Sequence, residues 1–162
     1  MTLDNILSKY TIISVSVSKI LSVIYDIPKS CYNSYYSRIL HYKLGFTNKQ
    51  LFQRYIDLCD YNYDNVILLI RGVPDRILPP YIDELKVTTK HRDKRIISIA
   101  RDQLYLYMYL TGLNLGRIFI YYKDTNTLEL KDIIKYDSNK LRAIIEKFIK
   151  RYSKCIDELS HQ

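Results

Sequence analysis

The segment Arg71-Gly-Val-Pro-Asp-Arg76, followed by Asp83-Glu-Leu-Lys86, brings two carboxylates and a lysine into a short stretch of chain. The glycine and the proline indicate a tight turn, so that Asp75 comes directly after it. Because residues i and i+2 of a strand point to the same face, Glu84 and Lys86 are expected to project side by side. Asp75 joins them if its own strand lies alongside.

Such a group predicts a metal-dependent hydrolytic site. Asp75 and Glu84 offer the hard oxygen ligands that suit Mg²⁺ or Mn²⁺. Lys86 adds a positive charge where a phosphate or an attacking water would sit, so the three residues are candidates for hydrolysing phosphodiesters. The plainer alternative is that Asp75 caps a turn and that Glu84 and Lys86 form an exposed strand pair. Asp83, the neighbour of Glu84, should point to the opposite face and stay outside the metal shell, unless a bulge reverses it.

The apolar pattern predicts an α/β sandwich, with a central mixed β-sheet flanked by helices. A helix with Thr47 as its N-cap is expected to run to about residue 60, and strands follow at 66–70, 76–78 and 81–88. A second helix at about 96–110 ends near Gly112. Two strands at 116–123 and 128–134 then precede a closing helix, which Ser138 or Asn139 caps. In residues 11–25 the serines alternate with valines as in a strand, but the flanks have helical character, so this part is left unassigned. One domain is expected over residues 1–162, with its core at about 47–158.

Three segments in this order resemble the PD-(D/E)XK nuclease superfamily, in its RecB-like branch with the CRISPR-associated exonucleases. They are Gly72-Val-Pro-Asp75-Arg76, Glu84-Leu-Lys86-Val-Thr-Thr89 and Gln103-Leu-Tyr-Leu-Tyr107. The resemblance covers about residues 32–123. It implies a restriction-endonuclease-like fold, with Asp75 and Glu84 as metal ligands, Lys86 as a catalytic residue, and Gln103 and Tyr107 on a helix beside the site.

The chain departs from this family in two ways. The family has a Glu or His on an upstream helix as a further metal ligand, and residues 45–53 offer no suitable acid. His41 is the nearest candidate, although a histidine packed or solvated near a helix is the favoured interpretation. In the branch with an iron–sulfur cluster four cysteines hold it, whereas this chain has only Cys31, Cys59 and Cys155, so we expect no cluster. Free thiols are the favoured state; a disulfide between Cys31 and Cys155, where the family's cluster would tie the chain ends, is the alternative in a hyperthermophilic host.

Further residues are candidates for contact with the substrate. Gln103 and Tyr107 are four residues apart and share a helical face, from which they could bond a phosphate, a base edge or a metal-bound water; simple packing is the alternative. The basic run that follows the Glu-x-Lys strand is expected at the lip of the site, where its charges would hold the DNA backbone: Lys90, Arg92, Lys94 and Arg95. The tyrosine-rich residues 31–38 could stack bases of a single strand, but a packing role is favoured.

Composition agrees with a polyanionic partner. The net charge is +8 and the pI about 9.3, which favours nucleic acid. No signal peptide is recognisable, and the apolar stretch 11–25 is too short and polar to span a bilayer, so an intracellular, cytoplasmic protein without a membrane partner is expected. The bias to Ile and Lys, with 17 Tyr and no Trp, indicates an AT-rich coding sequence and is compatible with a viral or archaeal origin.

The sequence therefore predicts a DNA nuclease that depends on Mg²⁺ or Mn²⁺. A catalytically inactive nucleic-acid-binding module of the same fold is the first alternative, and an interaction protein in which the motifs are coincidental is the second. Endonuclease or exonuclease action, strand preference and oligomeric state are left open.

Overall fold

The computed structural model describes residues 9–27 and 35–160, with side chains as far as residue 153. Its strands and helices follow in the order β1 (Thr11–Ser16), α1 (Val17–Tyr25), α2 (Tyr35–Lys43), β2 (Phe52–Asp57), β3 (Val66–Gly72), β4 (Arg76–Leu78), β5 (Tyr81–Thr88), α3 (Asp93–Thr111), β6 (Leu115–Tyr122), β7 (Thr127–Lys135) and α4 (Ser138–Ser160). Short 3-10 turns lie at Leu58–Tyr61 and Lys90–Arg92. Cys31 and the side chain of Cys155 lie outside the described residues, so the disulfide between them stays an untested alternative.

The strands form two mixed sheets. The first has the order β1-β3-β2, with β1 parallel and β2 antiparallel to the central β3. The second has the order β4-β5-β6-β7, in which β5 and β6 are parallel and the outer strands antiparallel. The predicted α/β class, with mixed β-structure and flanking helices, is thus confirmed.

Helix α3 lies across one face of the second sheet and links it to the rest of the molecule. It packs on β5 and β6, and α1 packs against both α3 and α4. The core between them is largely aliphatic. Its fully buried members include Ile20, Ile82, Leu104, Met108, Ile118, Ile120 and Ile145.

Gly72, at the end of β3, allows a close approach that positions the turn before β4. A Cβ added there would lie 2.7 Å from Cε1 of Tyr107 and 2.8 Å from Cγ2 of Val17, so no larger residue fits without displacement. At the C-terminal end of α3, Gly112 adopts φ 77° and caps the helix through its N–H bond to Met108 O. The predicted stop at Gly112 is confirmed.

The helix predicted from Thr47 to about residue 60 is wrong. Residues 52–57 form β2, which pairs with β3, and a 3-10 turn follows. Asn48 explains why no helix begins here: its main-chain N–H bonds Asp75 O at 3.0 Å and its side chain donates to Pro74 O at 2.9 Å. These bonds fix the segment to the turn before β4.

Two smaller corrections concern helix caps and the N-terminal region. The closing helix is capped by Asp137, whose Oδ1 accepts from the N–H of Asn139 at 2.9 Å, and not by Ser138 or Asn139. The region left unassigned at residues 11–25 divides into β1 and α1, with Ser16 as the N-cap of α1. Its Oγ accepts from Lys19 N–H at 3.0 Å, so the strand ends and the helix begins at this serine.

No helix in residues 9–27 or 35–160 is both long enough and apolar enough to cross a membrane.

Candidate active site

Four elements converge on one cleft of about 370 Å³, and each contributes a residue singled out in the sequence. The turn after β3 supplies Asp75, β5 supplies Glu84 and Lys86, α3 supplies Gln103, and α2 supplies His41. The antiparallel pairing of β4 with β5, in which Arg76 lies opposite Asp83, brings the turn alongside the Glu-x-Lys strand. The structure therefore brings together residues that are up to about 60 positions apart in the chain.

Asp75 and His41 meet the main chain of β5. Oδ2 of Asp75 accepts the N–H of Leu85 at 2.9 Å, and Nε2 of His41 lies 3.2 Å from the same oxygen. Nε2 also lies 3.1 Å from the carbonyl oxygen of Leu85. A ring nitrogen, a carboxylate oxygen and a carbonyl oxygen thus face one another at the edge of the cleft.

The hydrogen bonds of His41 define what Nε2 can do. Nδ1 lies 2.7 Å from the carbonyl oxygen of Ser37, which can only accept, so Nδ1 carries a proton. In the neutral ring Nε2 then holds a lone pair, yet both of its neighbours, Asp75 Oδ2 and Leu85 O, are acceptors. Either a second proton or a cation satisfies this arrangement. Burial opposes the charged ring, but the hydrogen bond and the charge of Asp75 raise the pKa of His41 to about 9.

Glu84 is buried in the same cleft, and only one of its two carboxylate oxygens has a polar partner among the described residues. Oε1 lies 3.1 Å from Nζ of Lys86, whereas Oε2 is buried and has no hydrogen-bond partner among the described residues. Burial raises the pKa of Glu84 to about 8, and the neighbouring charge of Asp75 adds to the effect, while Lys86 opposes it. A buried carboxylate with an unpaired oxygen costs free energy, and a cation at that oxygen would relieve it.

Lys86 is held in place by a chain of polar contacts that runs along α3. Its Nζ donates to Oε1 of Gln103 at 2.6 Å, and Nε2 of Gln103 donates to the hydroxyl of Tyr107 at 3.3 Å. Gln103 thus orients the lysine in this structure. Tyr107 is buried against Gly72, and burial raises the pKa of its hydroxyl. Contact of Gln103 or Tyr107 with nucleic acid stays a prediction.

Asp83 points away from the cleft, as predicted from its place beside Glu84. Its two oxygens accept from Nε of Arg76 at 2.8 Å, and from Nε and Nη2 of Arg117 at 2.6 and 2.8 Å. Each guanidinium also covers an aromatic ring: Arg76 lies 3.9 Å above Phe46, and Arg117 lies 4.2 Å above Tyr81. This cluster fastens β4, β5 and β6 on the face opposite the site.

The basic run lies on the 3-10 turn and the first turn of α3, where its charged side chains are exposed. Arg92 and Arg95 line a second cleft, which shares Ile27, Val87, Ile96 and Ile99 with the first and is therefore continuous with it. Arg95 is tethered by a 2.7 Å bond to the carbonyl oxygen of Tyr25. Contact of Lys90, Arg92, Lys94 and Arg95 with DNA stays a prediction.

The donor atoms fit a hard divalent cation. Because Mg²⁺ and Mn²⁺ bind oxygen at about 2.1 Å, adjacent ligand atoms of an octahedral ion lie about 3 Å apart. The spacings from His41 Nε2 to Asp75 Oδ2 and to Leu85 O, at 3.2 and 3.1 Å, equal such edges, and they are equally the lengths of hydrogen bonds from a protonated ring. Within the described ranges, no three His, Cys, Asp or Glu side chains are gathered as a ready-made metal site. The candidate set instead includes a main-chain carbonyl, and one oxygen of Glu84 is engaged by Lys86.

Comparisons with solved structures bear on the fold. The crystal structure of SSO0001 matches with a TM-score of 0.63 and 16% identity, covering 91% of this chain and 81% of that one. A phage-related exonuclease from Haemophilus somnus 129PT matches at a TM-score of 0.49, with 14% identity and coverage of 88% and 82%. LHK-Exo in complex with dAMP matches at 0.48, with 12% identity and coverage of 91% and 90%. At these identities the likeness concerns the fold alone.

The match to SSO0001 shows that this α/β arrangement of mixed sheets and helices occurs in a solved structure. A scan against protein-family models and a search of the curated proteins found no match.

Sequence reasoning undervalued His41 and missed Leu85. His41 is the nearest upstream candidate in the chain, but the packed or solvated histidine is the favoured interpretation there, whereas the structure places its ring against Asp75. The carbonyl of Leu85 carries no side-chain signal at all. Its position between Glu84 and Lys86 on β5 was the one available indication, because the main chain of that strand lines the same cleft.

Proposed function

We propose that this protein is a DNA nuclease that depends on Mg²⁺ or Mn²⁺ and hydrolyses phosphodiester bonds. The observation that carries the proposal is the convergence of His41 Nε2, Asp75 Oδ2 and Leu85 O at 3.1–3.2 Å, next to the unpartnered oxygen of Glu84. These groups would hold the ion. When bound, the ion supplies Lewis-acid polarisation of a phosphate and offsets its negative charge.

The other residues of the cleft have roles that follow from their contacts. Lys86, held by Gln103 beside Glu84, presents a cation to the phosphate and offsets the charge that develops there. The carboxylate of Glu84 gives Lys86 its second anchor, so the ammonium group cannot swing out of the cleft. The basic run along the continuous second cleft would hold the DNA backbone.

The test is cleavage of end-labelled linear DNA, single- and double-stranded, in Mg²⁺ or Mn²⁺ and in excess chelator. Glu84→Ala removes the buried carboxylate, and Glu129→Ala removes a half-exposed one on β7 as the matched control. We expect cleavage by the parent and by Glu129→Ala in metal only, and none by Glu84→Ala. Cleavage by all three would locate the active site elsewhere. No cleavage by any, with salt-dependent DNA binding retained, would favour the inactive binding module.

A further inference from the structure

Helix α2 presents a row of aromatic and basic side chains to solvent. Tyr35, Arg38 and Tyr42 are at positions i, i+3 and i+7 and therefore share one helical face. Tyr35 is 75% exposed and Tyr42 77%, and none of the nine residues of this helix is buried. Within the described residues, the ring of Tyr42 has no hydrogen bond or ring contact. A ring exposed to this degree is available to stack on a planar ligand.

The exposed ring is continuous with the candidate active site. Tyr42 follows His41 directly, and both line a cleft of about 660 Å³. Asp75 lines this cleft as well, and Arg38 and Lys49, both exposed, contribute cations to its lining. The volume is within the range of about 300–1,000 Å³ that small ligands occupy, so there is room for a nucleotide.

On the premise that the protein is a nuclease, we propose that this cleft binds an unpaired stretch of DNA, with a base stacked on Tyr42 next to the phosphate to be cleaved. Arg38 and Lys49 would contact the neighbouring phosphates. In a duplex the faces of the bases are hidden in the stack, so a ring at this place can gain a base only from unpaired nucleotides. The substrate class is therefore single-stranded DNA, or a duplex with an unpaired end.

The charge of the cleft favours nucleic acid over a protein as the occupant. The cleft of the exposed ring contains the cations Arg38 and Lys49 and belongs to a chain of net charge +8. It shares His41 and Asp75 with the cleft of Glu84. A partner protein on this surface would cover the opening to those groups. Stacking on a tyrosine also tolerates any sequence, because every base has a π-face.

The test measures binding apart from cleavage, by fluorescence anisotropy of labelled oligonucleotides in excess chelator. The probes are a single strand, the same strand with abasic sites in place of its bases, and a blunt duplex. Variants are Tyr42→Ala and Tyr42→Phe, with Tyr63→Ala, at an exposed tyrosine in a different cleft, as the control. Because the side chain of Tyr42 is exposed, Tyr42→Ala should fold, and circular dichroism checks this.

We expect Tyr42→Ala to weaken single-strand binding about 10-fold, as stacking on one ring is worth about 1–3 kcal/mol. Tyr42→Phe and Tyr63→Ala should bind as the parent does. The abasic strand should bind the parent more weakly and should not lose further affinity in Tyr42→Ala. Equal parent affinity for abasic and ordinary strands, or no effect of Tyr42→Ala, would overturn the proposal. Absence of metal-dependent cleavage by the parent would instead contradict the nuclease function on which it rests.

Discussion

Asp83 and Glu84 are neighbours on β5 and are both buried, but their carboxylate oxygens differ in their hydrogen-bond partners. Asp83 is 0% exposed and Glu84 2%. On one face of the sheet, Arg76 and Arg117 donate three hydrogen bonds of 2.6–2.8 Å to the two oxygens of Asp83. On the other face, Glu84 has Lys86 at 3.1 Å from one oxygen and no partner among the described residues for the other.

The difference separates a structural charge from a functional one. A buried carboxylate whose two oxygens both accept from guanidiniums fixes the strands to one another, and removing one member leaves buried charges uncompensated. A buried carboxylate that lacks a partner costs free energy in the isolated protein, and such groups are common where a ligand supplies the missing interaction. We therefore assign Asp83 to the framework and propose Glu84 as a residue of the site.

The largest effect is expected from Glu84→Gln, which keeps the shape and removes the charge. Nuclease activity should fall about 1,000-fold, corresponding to about 4 kcal/mol of lost stabilisation of the reacting phosphate. Thermal stability at pH 8 should be unchanged or higher. The folded-state pKa of Glu84 is raised, so its ionisation destabilises the fold progressively as pH rises from the usual carboxyl value to about 8, and glutamine avoids this. Activity assays measure the first effect and thermal unfolding the second, with Glu129→Gln as the control. A loss of thermal stability in Glu84→Gln would show that Glu84 stabilises the fold as Asp83 does.

Asp83→Asn should give the reverse result. The free energy of unfolding should fall by about 3 kcal/mol, since Arg76 and Arg117 lose their shared counter-charge. Urea denaturation measures it. Asp132→Asn is the matched control, because Asp132 pairs with Arg101 at a more exposed position, where a loss of less than about 1 kcal/mol is expected. Equal losses in the two variants would show that the Asp83 cluster does not stabilise the fold.

His41→Ala should act on metal dependence. The Mn²⁺ concentration for half-maximal activity should rise at least about 10-fold, because Nε2 no longer accompanies Asp75 and Leu85 O at the ion. A titration of activity against Mn²⁺ measures this shift. His91→Ala, at an exposed histidine bonded to Thr89, is the control and should leave the curve unmoved. If the dependence of activity on Mn²⁺ is unchanged in His41→Ala, His41 is not a ligand of the ion.

The smallest effect is expected from Gln103→Met, which fills a similar volume but cannot hold Lys86. The turnover number should fall about 10-fold with little change in KM, because the lysine loses its orientation while substrate binding is retained. Steady-state kinetics on labelled DNA separates the two parameters, with the exposed Gln53→Met on β2 as the control. A rise in KM alone would mean that Gln103 contacts the substrate directly.

The sequence predicts the second sheet well because its signals are local. The bounds of β4 and β5 follow from the turn residues on either side and from their apolar content, and the structure has them at the predicted residues. For β2 the local signal misleads. Its apolar residues are at helical spacing, but the segment is stabilised by pairing with β3, which no short window of sequence contains.

The residues of the candidate site also differ in how well local sequence predicts their positions. Asp75, Glu84 and Lys86 lie within twelve residues of one another and are brought together by a single hairpin, so their grouping can be predicted from spacing. His41 is 34 residues from Asp75, and its approach depends on how α2 docks. That docking buries no side chain of the helix completely, so the helix lacks the apolar stripe from which docking can be predicted.

The central claim, that the Glu84 face of β5 binds a divalent cation and the Asp83 face does not, is tested most directly by Mn²⁺ binding at equilibrium. Electron paramagnetic resonance of free Mn²⁺ can follow the titration of the parent, Glu84→Gln and Glu129→Gln without DNA. We expect saturable binding by the parent and by Glu129→Gln, and affinity at least about 100-fold weaker in Glu84→Gln. Equal binding by all three proteins, or none by the parent, would contradict the account.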